Sequence, residues 1–142
     1  MSHVRLREFK YPEDYASAIR LWKSCAQGVR VGPSDTADEL QKKLARDPDL
    51  FLVAEMGPQM VGTVIGGFDG RRGMVYHLAV APAHRRRGIA SQLMTELEER
   101  LRRKGCIRCY LLVRPENDDG LGYYKGTGWS LLDDHIFAKD LK

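Results

Sequence analysis

Leu78-Ala79-Val80-Ala81-Pro82-Ala83-His84-Arg85-Arg86-Arg87-Gly88-Ile89-Ala90 is the most informative segment of the chain, and the architecture can be worked out from it in both directions. A hydrophobic strand ends at Val80, a proline-containing turn carries three arginines, and a helix starts at Gly88. Backbone N–H groups at a helix N-terminus, together with the positive end of its dipole, favour phosphate. Gly88 admits a close backbone approach, small Ala90 keeps a side chain out of the path, and the arginines add charge and bidentate donors. The same residues also read as a basic turn that closes a strand, with Gly88 merely starting the helix. Physical chemistry alone weighs the two readings evenly.

Downstream, Gly88 to Lys104 is the clearest helix, because Ile89, Leu93, Leu97 and Leu101 fall four apart with Ala90 and Met94 beside them. Gly105 ends it. Glu96, Glu98 and Glu99 precede Arg100, Arg102 and Arg103 by four residues, an order that suits ion pairing and the helix dipole, so this charge run reads as a solvated face. Ile107 to Val113 is the next strand, which makes strand, helix and strand a crossover unit. A loop from Pro115 to Asp119, a short glycine-broken helix from about Leu121 to Lys125, and strands Trp129–Leu132 and Ile136–Leu141 around an Asp133-Asp134 turn complete the chain.

Upstream, Met74 to Val80 follows the turn Asp69-Gly70-Arg71-Arg72-Gly73, and the runs Leu50–Glu55 and Met60–Phe68 flank Gly57-Pro58-Gln59, giving an antiparallel meander. A half-buried first strand begins at Val4. Tyr15, Ala18, Ile19, Trp22 and Cys25 mark one apolar helical face, which makes Trp22 a core residue, and Thr36-Ala37-Asp38-Glu39 has the spacing of a capping box for a second helix that Pro48 ends. The predicted fold is therefore mixed α/β: a sheet of about seven strands flanked by about four helices, in the order β-α-α-β-β-β-α-β-α-β-β, as a single domain over residues 1–142.

Composition narrows the function. With 142 residues, 43% of them hydrophobic and 30% charged, the chain has material for one core. A formal charge of only +4, with both signs spread along the chain, argues against a nucleic-acid arm. Apolar runs are far shorter than the ~20 residues of a membrane span, and no secretory signal is visible in Met1-Ser2-His3-Val4-Arg5-Leu6-Arg7, so a soluble, cytoplasmic protein with no membrane partner is expected. Three cysteines are too few for a disulfide framework. Cys106 and Cys109 match C-x-x-C, but on a strand a separation of three places them on opposite faces, and with no second pair and no ligand spacing among the four histidines, no metal site is expected.

No P-loop sequence occurs, and Gly120-Leu121-Gly122 lacks both the third glycine and the length of a dinucleotide fold. Arg85, Gly88 and Ala90, preceded by a Leu-Ala-Val strand end and Pro82, do meet the pyrophosphate signature Gln or Arg, two residues, Gly, one residue, Gly or Ala. Asn117, followed seven residues later by Tyr124 and then by Gly128-Trp129, matches a second motif at the right distance. On these two motifs the chain resembles the GNAT superfamily of acyl-CoA-dependent N-acyltransferases. The likeness spans essentially the whole chain, is strongest from Met74 to Trp129, and is nearest to small single-domain bacterial-type N-acetyltransferases, including those that modify ribosomal-protein N-termini.

The resemblance implies acetyl-CoA as cosubstrate and no metal. Leu78, Ala79 and Val80 would offer backbone groups to the pantetheine arm. The amides of Arg86, Arg87, Gly88, Ile89, Ala90 and Ser91, with Arg85 at the entrance, would hold the pyrophosphate, and Asn117 would contact the cofactor near the reacting end. Tyr124 would protonate the leaving thiolate; from spacing alone it is a core aromatic paired with Leu121. A neutral amine must attack, so a base or proton wire is needed, and here the chain departs from relatives. Leu112 stands where some carry glutamate, and Met74, Val75 and Tyr76 stand where others carry an acid. Glu116, Asp118, Tyr76 and His77, acting through water, are the candidates.

By the same resemblance, acceptor recognition would fall to the first two helices, their connecting loop and the later hairpins, where Trp22, Arg30, Asp69, Arg71 and Arg72 are candidates, although Arg71 and Arg72 read first as ordinary turn charges. The function expected is acetyl transfer to a small-molecule or peptide amine by direct attack in a ternary complex. The competing reading is a CoA-binding sensor or interaction module without turnover, motivated by Leu112. Nucleic-acid binding through Arg85-Arg86-Arg87 and Arg102-Arg103-Lys104 is disfavoured because these residues have better uses and no recognition motif accompanies them. Exposed strand edges in a mixed sheet predict a homodimer.

Overall fold

The computed structural model of the protein describes residues 3–142; Met1 and Ser2, the start of the N-terminal stretch read above, lie outside them. The chain forms two compact units, one ending at Leu112 and one running from Val113 to Lys142.

The first unit contains β1 (Val4–Glu8), α1 (Tyr15–Ser24), a 3-10 turn (Pro33–Asp35), α2 (Ala37–Arg46), β2 (Phe51–Met56), β3 (Gln59–Phe68), β4 (Gly73–Val80), a second 3-10 turn (Pro82–His84), α3 (Ile89–Arg103) and β5 (Cys109–Leu111). The strands make one sheet in the order β1-β2-β3-β4-β5. The first four pair antiparallel, so the expected meander is present, and β5 joins β4 in parallel through the α3 crossover.

Alternation along the strands divides the interior between two faces. On one, Phe51, Val53, Ile65 and Ala79 pack with Ala18, Leu21 and Trp22 of α1 and Leu40 of α2. Phe9 stacks on Phe51 with ring centroids 4.1 Å apart, and Trp22 is fully buried, as its place on the apolar face predicts. On the other face α3 lies across β2, β3 and β4. Ile89, Leu93, Leu97 and Leu101 are all buried there, so the fours-apart pattern is the packing stripe. Gly66 sets the closeness of that contact, since a Cβ there would meet Leu97 Cδ1 at 2.6 Å. Thr36 caps α2 by accepting the Glu39 N–H at 3.3 Å, half of the predicted box.

The second unit contains α4 (Asp118–Gly126), after which no helix or strand is formed. Here the sequence reading needs correction, for the described residues form five strands and not seven. Residues 129–132 and 136–141 alternate as strands do, but a strand exists only where another chain segment completes its hydrogen bonds. No ladder includes them, and Leu131, Ile136, Phe137 and Leu141 are 67–94% exposed. The predicted strand Ile107–Val113 shrinks for the same reason: only three of its residues pair with β4, and Ile107 is 93% exposed.

This shortening also changes the cysteine geometry. Because residues 106–108 are not in the strand, Cys106 and Cys109 do not point to opposite faces. A Cβ built on Gly73 would meet Cys106 Sγ at 2.8 Å and Cys109 Cβ at 3.1 Å, so both side chains crowd one place. Both are free thiols, and burial, reinforced by neighbouring Cys106 and Glu98, pushes the Cys109 thiol up, away from the reactive thiolate.

Candidate active site

The parallel ladder between β4 and β5 is short. It pairs Gly73 with Cys109, Met74 with Tyr110 and Val75 with Leu111, and stops there, while β4 continues to Val80 against β3 alone. Tyr76 through Val80 therefore run along an edge of β4 that has lost its β5 partner. This splayed stretch holds Leu78, Ala79 and Val80, the residues predicted to offer backbone groups. The Val80 carbonyl is already engaged, accepting from Arg85 Nε at 3.0 Å and from Cys25 Sγ at 3.4 Å.

Beyond Val80 the chain turns into α3 through two left-handed residues, Arg86 at φ 64° and Gly88 at φ 81°. Alternation of left-handed and ordinary backbone points successive N–H groups inward, the geometry of an anion nest. At Gly88 that φ is one that only glycine adopts without cost. Gly88 is the N-cap of α3 and supplies no side-chain cap, the first turn contains no acid, and a Cβ on Gly88 would meet nothing within 4 Å. The amides of Ile89 and Ala90 thus open a helix with no intrahelical acceptor and a clear approach. Arg85, Arg86 and Arg87 are exposed, and among the described residues none has an acidic partner within ion-pair distance.

The groove beside β1 behaves differently. Arg5, Arg7, Lys10 and Arg100 line a cavity of about 440 Å³, yet the arginines are spoken for. Arg7 bonds Asp14 at 2.7 Å and Glu55 at 2.9 Å, Arg5 bonds Glu55, and Arg100 bonds Glu8 and Glu96. Burial works against the Asp14 carboxylate, but the hydrogen bonds from Arg7 and the Lys10 N–H outweigh it and hold its pKa below the ordinary range. No free cation faces that groove from these three arginines.

In the second unit, Asn117 caps α4, its Oδ1 accepting the Gly120 N–H at 3.0 Å, which leaves its Nδ2 donor for other partners. Tyr124 lies edge-on to Tyr123 and to Trp129, and burial, with a small contribution from Tyr123, pushes its phenol up to about 12. Of the base candidates, Glu116, Asp118 in the first turn of α4, and Tyr76 are exposed, and Leu112, which stands where some relatives carry glutamate, is 57% exposed and brings no acid. Arg71 and Arg72 donate their backbone N–H groups to Asp69 Oδ1 at 2.8 Å, so the turn-charge reading accounts for their place.

One cluster was not legible from spacing. Asp35, at the end of the first 3-10 turn, receives His77 Nε2 at 2.8 Å from β4. Trp22 lies edge-on to that imidazole at 4.6 Å, and Thr63 links the two, accepting from Trp22 Nε1 at 2.9 Å and donating to the His77 carbonyl at 3.0 Å. These four residues come from four separate elements, so no local pattern announces them. Among the described residues no group of acidic, histidine or cysteine side chains could hold a metal ion, and no helix is long and apolar enough to cross a membrane.

With this geometry in hand, comparison with known proteins places the chain. The family model described as acetyltransferase (GNAT) family matches residues 15–129, and the chain belongs to that family. An acetyltransferase of Pectobacterium atrosepticum is 41% identical over 138 residues, covering 97% of this chain and 96% of its own. The fold is shared with PaiA N-acetyltransferase from Thermoplasma acidophilum in complex with coenzyme A, at TM-score 0.80 and 18% identity over 94% of this chain and 93% of that one. It is shared too with an aminoglycoside N-acetyltransferase in complex with CoA, at TM-score 0.74 and 19% identity over 100% of this chain and 97% of that one.

Proposed function

We propose that the protein is an N-acetyltransferase that moves the acetyl group of acetyl-CoA to a primary amine by direct attack in a ternary complex. The observation that carries this reading is the continuity of two features. The unpartnered edge of β4 from Tyr76 to Val80 runs directly into the uncapped, left-handed nest at the start of α3. Such an edge offers backbone hydrogen bonds to an extended arm like pantetheine, as an added strand does. Such a nest, with three arginines beside it that have no acidic partner among the described residues, suits a pyrophosphate.

In this reading Leu78 and Ala79, with what remains of Val80, bind the arm. The backbone from Arg86 to Ser91 binds the pyrophosphate, with Arg85 at its entrance. Asn117 offers its Nδ2 donor near the reacting end. Tyr124 serves the leaving group, and its raised pKa sharpens that role. A phenol near 12 stays protonated throughout the physiological range and is a poor source of a fully transferred proton to a thiolate of pKa ~8.5, so it acts by hydrogen-bonding the developing thiolate. An aminoglycoside N-acetyltransferase in complex with CoA and the NatC complex bound to Gag peptide and CoA share the fold, which supports an acceptor of small-molecule or peptide class.

The test is calorimetric titration with acetyl-CoA, wild type against Gly88→Glu, followed by thiol release with an amine panel. Micromolar binding that the variant weakens by at least about a hundredfold is expected, since a carboxylate would occupy and repel the anion's place. A folded wild-type protein that binds no acetyl-CoA overturns the reading. Binding without turnover on any amine leaves a CoA-binding module.

A further inference from the structure

His77 is held in a way that a filler of a sheet surface is not. Its φ of 49° is left-handed, a conformation uncommon for any residue but glycine. It sits in a β-bulge, where pairing passes from Thr63 with Ala79 to Ile65 with Tyr76, so that His77 and Leu78 together oppose Val64. Bulges of this kind re-aim a side chain, and here the imidazole is aimed at Asp35. The bulge also lies on the stretch of β4 that has no β5 partner.

The partner of Nε2 argues for the role of each ring nitrogen. Asp35 is buried, its Oδ2 accepts the Gly32 N–H at 2.9 Å, and its Oδ1 faces His77 Nε2 at 2.8 Å. An ionised carboxylate only accepts, so Nε2 carries the hydrogen and Nδ1 carries the lone pair of the neutral ring. Trp22 and Thr63 hold the ring's edge and backbone, and its side chain retains 20% exposure. The other ionisable groups beside this pair are Tyr15 of α1, whose hydroxyl donates to the Asp35 carbonyl, and Tyr76, the neighbour of His77 on β4.

We propose that His77, through Nδ1, accepts the proton that the amine must lose, and that Asp35 is the residue that positions it. The inference rests on the acetyltransferase reading above. In the step, the amine attacks as the free base: its electron pair forms the bond to the thioester carbon, and the nitrogen of the tetrahedral adduct gives its surplus proton to Nδ1. The carbonyl re-forms as the C–S pair leaves with sulfur, the thiolate takes a proton from water, and the imidazolium, paired with Asp35, returns its proton to water, so that amide and free thiol are the products. This supplies, from the face of the sheet covered by α1 and α2, the base that Leu112 does not provide.

The experiment measures kcat/KM against pH by thiol release, with two amines of different basicity, for wild type, His77→Asn and Asp35→Asn. Asparagine tolerates the left-handed backbone but does not titrate. The expected result is an ascending limb, at the same pH for both amines, that vanishes in His77→Asn together with a loss of about a hundredfold in rate, while acetyl-CoA binding is unchanged. Asp35→Asn keeps the limb but loses at least about tenfold in kcat with little change in KM. A folded His77→Asn that keeps the limb and a rate within about twofold of wild type overturns the assignment and leaves acetyl transfer standing. Should His77→Asn fail to fold, an Asp35→Asn variant indistinguishable from wild type overturns it equally. A wild type that binds acetyl-CoA but turns over no amine removes the transfer reading itself, and this inference with it.

Discussion

The two ends of α3 carry arginine triads of similar composition and opposite fate. At the C-terminal end Arg100, Arg102 and Arg103 each face a glutamate one turn back, and Arg100 also reaches Glu8 at 2.7 Å. At the N-terminal end Arg85, Arg86 and Arg87 have no acidic partner among the described residues, and two of the residues there are left-handed. Cations placed near a helix C-terminus satisfy its dipole, whereas cations beside the N-terminus oppose it and are stable companions only to an anion. Charge count alone would not separate the triads; pairing and dipole do.

The largest test of this contrast removes what both ends share. Leu97→Ala takes the stripe residue that presses on Gly66 out of a fully packed site and should cost about 3 kcal/mol of stability by chemical denaturation, with acetyl-CoA affinity of the folded protein unchanged. A large affinity loss would mean that the cradle depends on packing and not on local backbone. Next, Arg7→Ala extends the comparison to the β1 groove, where every arginine named is paired. It strands the mostly buried Asp14 and should cost about 2 kcal/mol at neutral pH.

That loss should shrink in acid. The folded pKa values of Asp14 and Glu55 are held low, so their contribution is complete above the ordinary carboxylate range and disappears as pH falls through the lowered values, below about 4. A difference between wild type and Arg7→Ala that is flat from pH 7 to 2 would contradict the pairing. At the cradle, Arg86→Glu with Arg87→Glu should weaken acetyl-CoA binding by about tenfold to thirtyfold and flatten its salt dependence, at little cost in stability. The smallest effect belongs to Arg103→Glu, which breaks an exposed pair: under about 0.5 kcal/mol in stability, and none in CoA affinity. Equal losses of affinity from the two ends would erase the contrast.

Much of this was legible before any coordinates. The stripe Ile89, Leu93, Leu97 and Leu101 predicts α3 because helical contacts repeat within one element, and the meander from β2 to β4 follows from turns only a few residues long. The arginine-bearing turn that opens α3 was legible for the same reason: Arg86, Gly88 and the first amides of α3 are neighbours in sequence. Asn117 is singled out by its spacing from Tyr124, and the structure shows its carbonyl oxygen capping α4.

What failed to show itself depends on segments far apart. Residues 129–132 and 136–141 alternate correctly, but alternation states only which way side chains would point if a partner strand were present. Cys106 and Cys109 converge because the strand begins at Cys109, not at Ile107. His77 and Asp35 lie 42 residues apart, and nothing near either residue forecasts the other. The sequence by itself determined the helix faces, the Thr36 cap and the basic turn that opens α3, because hydrogen bonds and dipoles within one element are local. Only the tertiary structure decided which strands pair, where β4 loses its partner, and which carboxylate orients His77, because those contacts exist only after the chain has closed long loops upon itself.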